Sequence, residues 1–402
     1  MENQESKKSF GYEKTAIYMF IMSLAASGFN YLFQIASGRL LDASAYGVLN
    51  ASFSVVGIVT VAGVALGMSL AKNISQDASN IGGIIKRLFR LGIVVALPFI
   101  LAVFAVMLVM GYELITSVLT AVTTYTISLS YLFYGSLQGK QLFWQVSIFN
   151  LIVPLSKMLF GTALLFAGAG INSVLCAMIA GSFISMVYGY LVLVKRADFS
   201  AHASKEECAR IIKYMFFTLL SASALTLFNN VDILLIRQYF SAKELGLYSC
   251  AALFGKIILY IPTVLVTMMF PIAAKNDGKS KTTLYKTLLY SFLISSVAAA
   301  ALYVLRRPVI SIVMGQSYLP SADYILFVIL FVIPLVMVTV VTNYLIATND
   351  KWFASAACFS AALLMLVLTY FFHISIPAML GIIAVIYFVL FVVLLIRGIL
   401  KK

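Results

Sequence analysis

The sequence predicts an all-α integral membrane protein, with twelve transmembrane helices in two six-helix lobes around a central cleft and both termini cytoplasmic. Three observations carry that expectation. Apolar stretches of spanning length follow one another almost end to end. Of the 402 residues, 62% are hydrophobic and only 10% are charged, against about 25% charged in ordinary globular domains. The lysines and arginines collect in alternate loops. A soluble helical protein would need far more charged surface around the same apolar content.

About 20 residues at 1.5 Å rise cross roughly 30 Å of hydrocarbon. On that length the spans fall at 15–37, 46–70, 88–110, 114–138, 145–167, 172–194, 214–239, 247–271, 284–305, 323–347, 352–372 and 376–397. The third and fourth are the least well separated. Residues 1–14 (MENQESKKSFGYEK) are polar and the first apolar run already has spanning length, so no cleavable signal segment is expected.

Reading alternate loops as cytoplasmic, one side receives Lys7, Lys8 and Lys14, the cationic residues from Lys72 to Arg90, Lys140, and those from Lys195 to Lys213. It also receives Lys275 to Lys286, Lys351, and Arg397 to Lys402. The other side receives only Arg39, Arg237, Lys243, Arg306 and Arg307, while Lys157 and Lys256 stay inside spans. An excess of Lys and Arg in short loops marks the cytoplasmic face. Most of the net charge of +14 is thus a basic rim facing a bilayer with anionic lipids, each residue worth about 1 kcal/mol near the surface. Nucleic acid is excluded as a partner, because no soluble module exists to carry it. Cys176, Cys250 and Cys358 fall in spans, Cys208 falls in a loop, and no CxxC occurs, so neither a disulfide nor a metal site is expected, nor any cofactor.

The longest polar connection near the middle is KRADFSAHASKEECARIIK, Lys195–Lys213. It divides the chain into an N-terminal six-helix lobe, 1–196, a cytoplasmic connection, 197–213, and a C-terminal lobe, 214–402. Residues 200–213 fit an interfacial helix or a flexible linker equally well. With an even number of spans in each half, any internal repeat must be parallel, about an axis along the membrane normal. A trace of one is present. At a constant offset of 199, Phe29/Phe228, Asn30/Asn229, Ala43/Ala242 and Gly47/Gly246 match without a gap. Each segment ends a first helix, turns, and starts a second. Two such lobes about a cleft form a transporter architecture, with the substrate site where the lobes meet.

A charge at the bilayer centre costs from about 3 to above 10 kcal/mol, so intramembrane charges face a cavity or a partner. Lys157, Asp232 and Lys256 all fall roughly 10–15 Å from the outer surface at 1.5 Å per residue, and Asn30, Gln34, Asn229 and Asn230 lie at similar depth. Asp232 and Lys256, on sequential antiparallel helices, suit a structural ion pair and a substrate role equally. Lys157 lies too deep for comfortable snorkelling and is expected to line the cavity. Arg39 and Arg237, at helix ends, suit interface anchoring better, and the asparagines suit helix–helix bonding better. The excess of intramembrane positive charge points to an anionic passenger such as a phosphate or pyrophosphate. Pro98, Pro154, Pro262, Pro271, Pro334 and Pro377 also interrupt spans, and Pro154 precedes Lys157 by one turn.

Residues 38–57, GRLLDASAYGVLNASFSVVG, resemble the first outer turn of the Wzx-type oligosaccharide flippases. These are polysaccharide biosynthesis proteins of the multidrug/oligosaccharidyl-lipid/polysaccharide exporter superfamily. The stretch VDILLIRQYFSAKELGLYSCAALFGKIILYIPTVLVTMMFP, Val231–Pro271, resembles that family's most recognisable segment. It has the Val-Asp of helix 7, the acidic-x-Gly-x-Tyr turn at Glu244–Tyr248, Lys256, and Phe270–Pro271. The resemblance implies a flippase of the bacterial cytoplasmic membrane that carries undecaprenyl-pyrophosphate-linked oligosaccharide units to the outer leaflet by alternating access. It casts Lys256, then Lys157 and Arg237, as ligands for the anion, and Asp232 as a pairing or coupling group; Arg39, at the rim of the first half, is expected to join the cationic set. A monomer is expected, with a polysaccharide polymerase as a further partner. One departure stands out: Phe33 occupies the first-half position matched to Asp232, so the lobes are not electrostatically equivalent.

Two other functions compete. A cation-coupled multidrug exporter of the same fold would favour acidic or aromatic lining, against the balance of lysine over aspartate. A membrane enzyme, such as a polymerase or glycosyltransferase, needs catalytic groups on a sizeable loop. The longest outer loop, Arg306–Ala322, carries no Asp or Glu, and no DxD, HExxH or nucleotide-cradling glycine motif stands on a suitable loop. The protein is therefore expected not to be an enzyme.

Overall fold

A computed structural model describes residues 2–76, 80–199, 203–260, 280–348 and 350–400, together with Leu265, Val266, Met269 and Ala273. Among these residues all regular structure is helical. In chain order the helices are α1 (Glu2–Leu40), α2 (Ala43–Val59), α3 (Val61–Gln76), α4 (Ile81–Val109), α5 (Leu114–Gly139), α6 (Phe143–Ser156) and α7 (Thr162–Phe166). They continue with α8 (Gly170–Val194), α9 (Lys205–Tyr239), α10 (Ala242–Lys256), α11 (Ser280–Val313), α12 (Ile325–Ala347), α13 (Lys351–Phe371) and α14 (Ile376–Leu400).

Among the described residues ten segments are long and apolar enough to cross a membrane, with α2–α3 forming one continuous span and α6–α7 another. The chain is a multi-pass integral membrane protein. The expected seventh span lies within α9. The eighth runs from α10 into residues outside those described, as do Pro262, Phe270 and Pro271.

Two boundaries differ from expectation for physical reasons. The expected loop Arg306–Ala322 is mostly helix: α11 continues through Arg306, Arg307 and Pro308 to Val313, and a 3₁₀ segment spans Gln316–Asp323. Arg306 remains helical by folding back, with its guanidinium 4.1 Å from the Tyr303 ring centroid and donating to the Tyr303 carbonyl at 2.6 Å. Of the two readings left open for residues 200–213, the part from Lys205 onward is helix, continuous with the seventh span. Ser204 caps it: its hydroxyl accepts from Glu207 N, while Glu207 Oε2 accepts from Ser204 N, a reciprocal pair that satisfies two otherwise orphaned donors.

The chain divides into two compact units, residues 1–40 with 55–222 and residues 41–54 with 223–402. In the first, α5 is central, packed on α3, α4 and α8, while α6 packs on α1 and α8. The α3–α5 crossing is close because glycines meet there. A Cβ on Gly63 would stand 2.6 Å from Ser128 Cα, and one on Gly135 would strike the Gly67 backbone. Without a hydrophobic drive between helices in lipid, such small-residue contacts supply the packing. α5 carries many hydroxyls, and Thr123, Thr124, Ser128 and Ser136 each donate to the carbonyl four residues back, so they need no water.

The second unit centres on α12, packed on α14, α11 and α10. Here the central helix is among the most apolar of all, and it approaches α10 where Gly255 meets the Val328 side chain. The first fourteen residues after α1, Leu41–Ser54, belong to this unit. Tyr318 donates to the Leu41 carbonyl at 3.3 Å and stacks edge-on against Tyr46 at 5.7 Å.

Candidate functional site

In the second unit the site is built at the end of α9 and along α10. α9 stops at Tyr239 and α10 restarts at Ala242, capped by a reciprocal Ser241–Glu244 box. This tight reversal lays the two helices antiparallel, and it brings Asp232 level with Tyr248 and Lys256. Asp232 is fully buried. Lys256 Nζ lies 2.8 Å from each of its carboxylate oxygens and 2.7 Å from the Asn229 carbonyl oxygen, which accepts from it. The Tyr248 hydroxyl donates to Asp232 Oδ2. Behind them Tyr387 donates to the Phe228 carbonyl at 3.1 Å, and its ring stands edge-on to Phe228.

The carboxylate therefore accepts from an ammonium and a phenol at once, the condition under which a buried charge is tolerable. The two partners of the ion pair differ in access. Asp232 is 0% exposed and the Lys256 side chain 15%, so the exposure the pair has lies on the lysine. Lys256 also ends α10, and the backbone tightens to a 3₁₀ turn at Ile257–Leu259 immediately after it.

In the first unit Lys157 is 7% exposed. Its Nζ donates to Asn30 Oδ1 at 2.5 Å and sits 5.1 Å from the Phe33 ring centroid. Asn30 is oriented by its own Nδ2, which donates to the Ala26 carbonyl at 3.2 Å, leaving the oxygen toward the lysine. Lys157 opens a π-helical turn, Lys157–Gly161, directly after α6 with its Pro154. One extra residue in the turn aims the side chain where a regular α-helix would not. Both intramembrane lysines thus stand where their helix departs from α geometry.

The repeat-matched positions play comparable parts. Asn30 meets Lys157 through its side-chain oxygen, and Asn229 meets Lys256 through its backbone. Phe33 offers Lys157 the face of its ring, and Asp232 offers Lys256 a carboxylate. Of the other expected site residues, Asn230 donates to the Thr226 carbonyl at 2.9 Å. Gln34 is half-buried on α1, and its backbone carbonyl accepts from Ser37 Oγ at 3.0 Å. Arg39 and Arg237 occupy the last turns of α1 and α9, where the helix dipole favours a cation. Sequence reasoning did not assign Tyr248 to the site, although it stood in the quoted turn Glu244–Tyr248. The signal was its position on the helix facing Asp232. Phe33 was noted only as a missing acid, and it is a cation partner in its own right.

A family model described as polysaccharide biosynthesis protein matches residues 38–323. The chain belongs to the polysaccharide biosynthesis protein family. No curated protein matches the chain. Among solved structures, the inward closed conformation of the lipid II flippase MurJ is similar over 95% of this chain and 87% of that one, with 14% identity and a TM-score of 0.77. An inward-facing multidrug resistance MATE family transporter of the MOP superfamily is similar over 94% of each chain, with 14% identity and a TM-score of 0.75. The outward-facing form of a MATE family transporter is similar over 96% and 95%, with 13% identity and a TM-score of 0.67. At these identities the likeness is one of fold, and this family member shares the fold of those structures across nearly its whole length.

Proposed function

We propose that the protein is a flippase that moves polyprenyl-pyrophosphate-linked oligosaccharide units from the cytoplasmic to the outer leaflet of a bacterial cytoplasmic membrane. It works by alternating access, as a monomer, and delivers units for surface polysaccharide assembly to a polymerase. It acts as a carrier, and no bond of the substrate is broken. The observation that carries this reading is the unequal access at the ion pair, a reachable Lys256 over a sealed Asp232, in a family of polysaccharide biosynthesis proteins. A pyrophosphate leaving water needs cationic partners. Lys256 is the first of these and Lys157 the second, with Arg237 and Arg39 near helix ends as further cations. Asp232 holds Lys256 in the absence of substrate and is the group through which ion coupling would act. Asn30, Gln34, Asn229 and Asn230 supply polar contacts.

The test is to deplete the protein in its host and locate the polyprenyl-linked sugar intermediates. Accumulation on the cytoplasmic leaflet with loss of surface polysaccharide supports flipping. Accumulation on the outer leaflet points to polymerisation instead. Unchanged glycan with increased drug sensitivity would replace this reading by that of a multidrug exporter, like the multidrug resistance MATE family transporter of the same fold.

A further inference from the structure

We infer that Tyr248 is a positioning residue that lets Lys256 leave Asp232 for the anionic group of the substrate, by holding the carboxylate after the ammonium has gone. This rests on the flippase reading above.

The argument starts from Asp232, which no solvent reaches. Its oxygens receive two donors of different kinds, the Lys256 ammonium on both oxygens and the Tyr248 hydroxyl on Oδ2. If Lys256 were the only donor, moving it to a ligand would strand a bare carboxylate in a low-dielectric interior, and the pair would not open. A second donor that stays behind lowers that penalty. Tyr248 is suited to stay. It is fully buried, on the stretch of α10 with Leu245, Cys250 and Ala251, all fully buried as well. The neighbouring phenol, Tyr387, donates elsewhere, to the Phe228 carbonyl, so it does not replace Tyr248. Lys256 is suited to go. Its side chain alone is partly exposed, and it stands where α10 ends and the 3₁₀ turn begins.

Ligand and carboxylate therefore compete for one ammonium, and the phenol weights the competition toward the ligand. Removing the phenol strengthens the hold of Asp232 on Lys256. Removing the carboxylate as well abolishes the competition, and with it any role for the phenol.

The test uses the full-length protein purified in detergent, with inorganic pyrophosphate as probe, its binding measured by calorimetry in four backgrounds: wild type, Tyr248→Phe, Asp232→Asn and the double variant. A hydrogen bond to a charged group is worth enough to shift binding by roughly tenfold. The expected result is pyrophosphate binding weakened about that much by Tyr248→Phe in the wild-type background, and unchanged by the same substitution in the Asp232→Asn background. Equal weakening in both backgrounds would show a merely structural tyrosine and overturn the inference, as would no effect in either. Wild-type protein that ignores pyrophosphate but binds organic cations would overturn the flippase reading itself and the inference with it. Wild-type binding with an indifferent Tyr248→Phe would overturn the inference alone.

Discussion

Gly47 and Gly246 each pack against the backbone at the start of the helix that carries the other. A Cβ on Gly47 would stand 2.6 Å from the Ala242 carbonyl oxygen, and one on Gly246 would strike the Ala43 carbonyl. Gly47 matches Gly246 and Ala43 matches Ala242 at the offset of 199, so the contact is reciprocal. The helix ends agree with the same offset: α1 and α9 stop at Leu40 and Tyr239, and α2 and α10 start at Ala43 and Ala242. The caps agree too. Asp42 Oδ1 accepts from Ala45 N at 2.9 Å, and Ser241 stands at the equivalent place in α10.

Enlarging either glycine should therefore damage the same contact. Gly246→Leu or Gly47→Leu is expected to cost about 1–3 kcal/mol by overpacking, read as a lower unfolding midpoint in detergent. The double variant should lose clearly less than the sum, because one separation of the helices accommodates both. Additive losses would mean the two sites are independent.

Breaking the ion pair from one side should cost more than removing it. Lys256→Met leaves the buried Asp232 carboxylate to the Tyr248 hydroxyl without a cation, and Asp232→Asn leaves Lys256 without its counter-charge; either alone is expected to destabilise by about 3 kcal/mol, while the two together should regain much of that. Export should stay lost in the double variant, since the cation is gone. A double variant that exports normally would place Lys256 outside the transport site.

The π turn makes a separate prediction in the first unit. Deleting Met158 removes the extra residue, lets the turn close to regular α geometry and re-aims the Lys157 side chain. The protein should still insert, yet lose the Lys157–Asn30 bond and most export. Full export by the deletion variant would show that the irregular turn is not needed.

The connection to α9 is held to the first unit by named contacts. Arg87 donates to the Ala203 carbonyl at 2.7 Å, Asn80 to Glu207 at 3.4 Å, and Gly82 lies against the Asp198 carbonyl. Arg87→Ala should raise amide exchange of residues 203–207 several-fold, with Lys86→Ala as the control that leaves it unchanged. Equal exchange in both variants would remove Arg87 as the anchor.

How much of this was legible in the sequence depended on the physics behind each feature. Span length and loop charge are set by the bilayer itself, so membrane insertion could be read directly. The matched residues 29–51 and 228–250 predicted a repeat whose helix ends agree to the residue. The ion pair was also readable, because Asp232 and Lys256 lie at matched depth on sequential helices. The π turn was not. Pro154 signals an interruption, but whether a helix tightens or widens after a proline depends on neighbours such as Phe33, whose ring would stand 3.3 Å from a Cβ at Gly161. Nor could the central helices be found by hydrophobicity. α5 and α12 both sit at the heart of their units, one the least apolar of the ten spans and the other among the most, because lipid and protein interior are equally apolar.

The hydroxyl-laden α5 bears on how the chain is made. As the least apolar candidate span, it gains least from lipid on leaving the ribosome, and its favourable surroundings are α3 and α4, synthesised just before it, and α8, synthesised after. Its entry into the membrane is therefore expected to lean on the segments made before it.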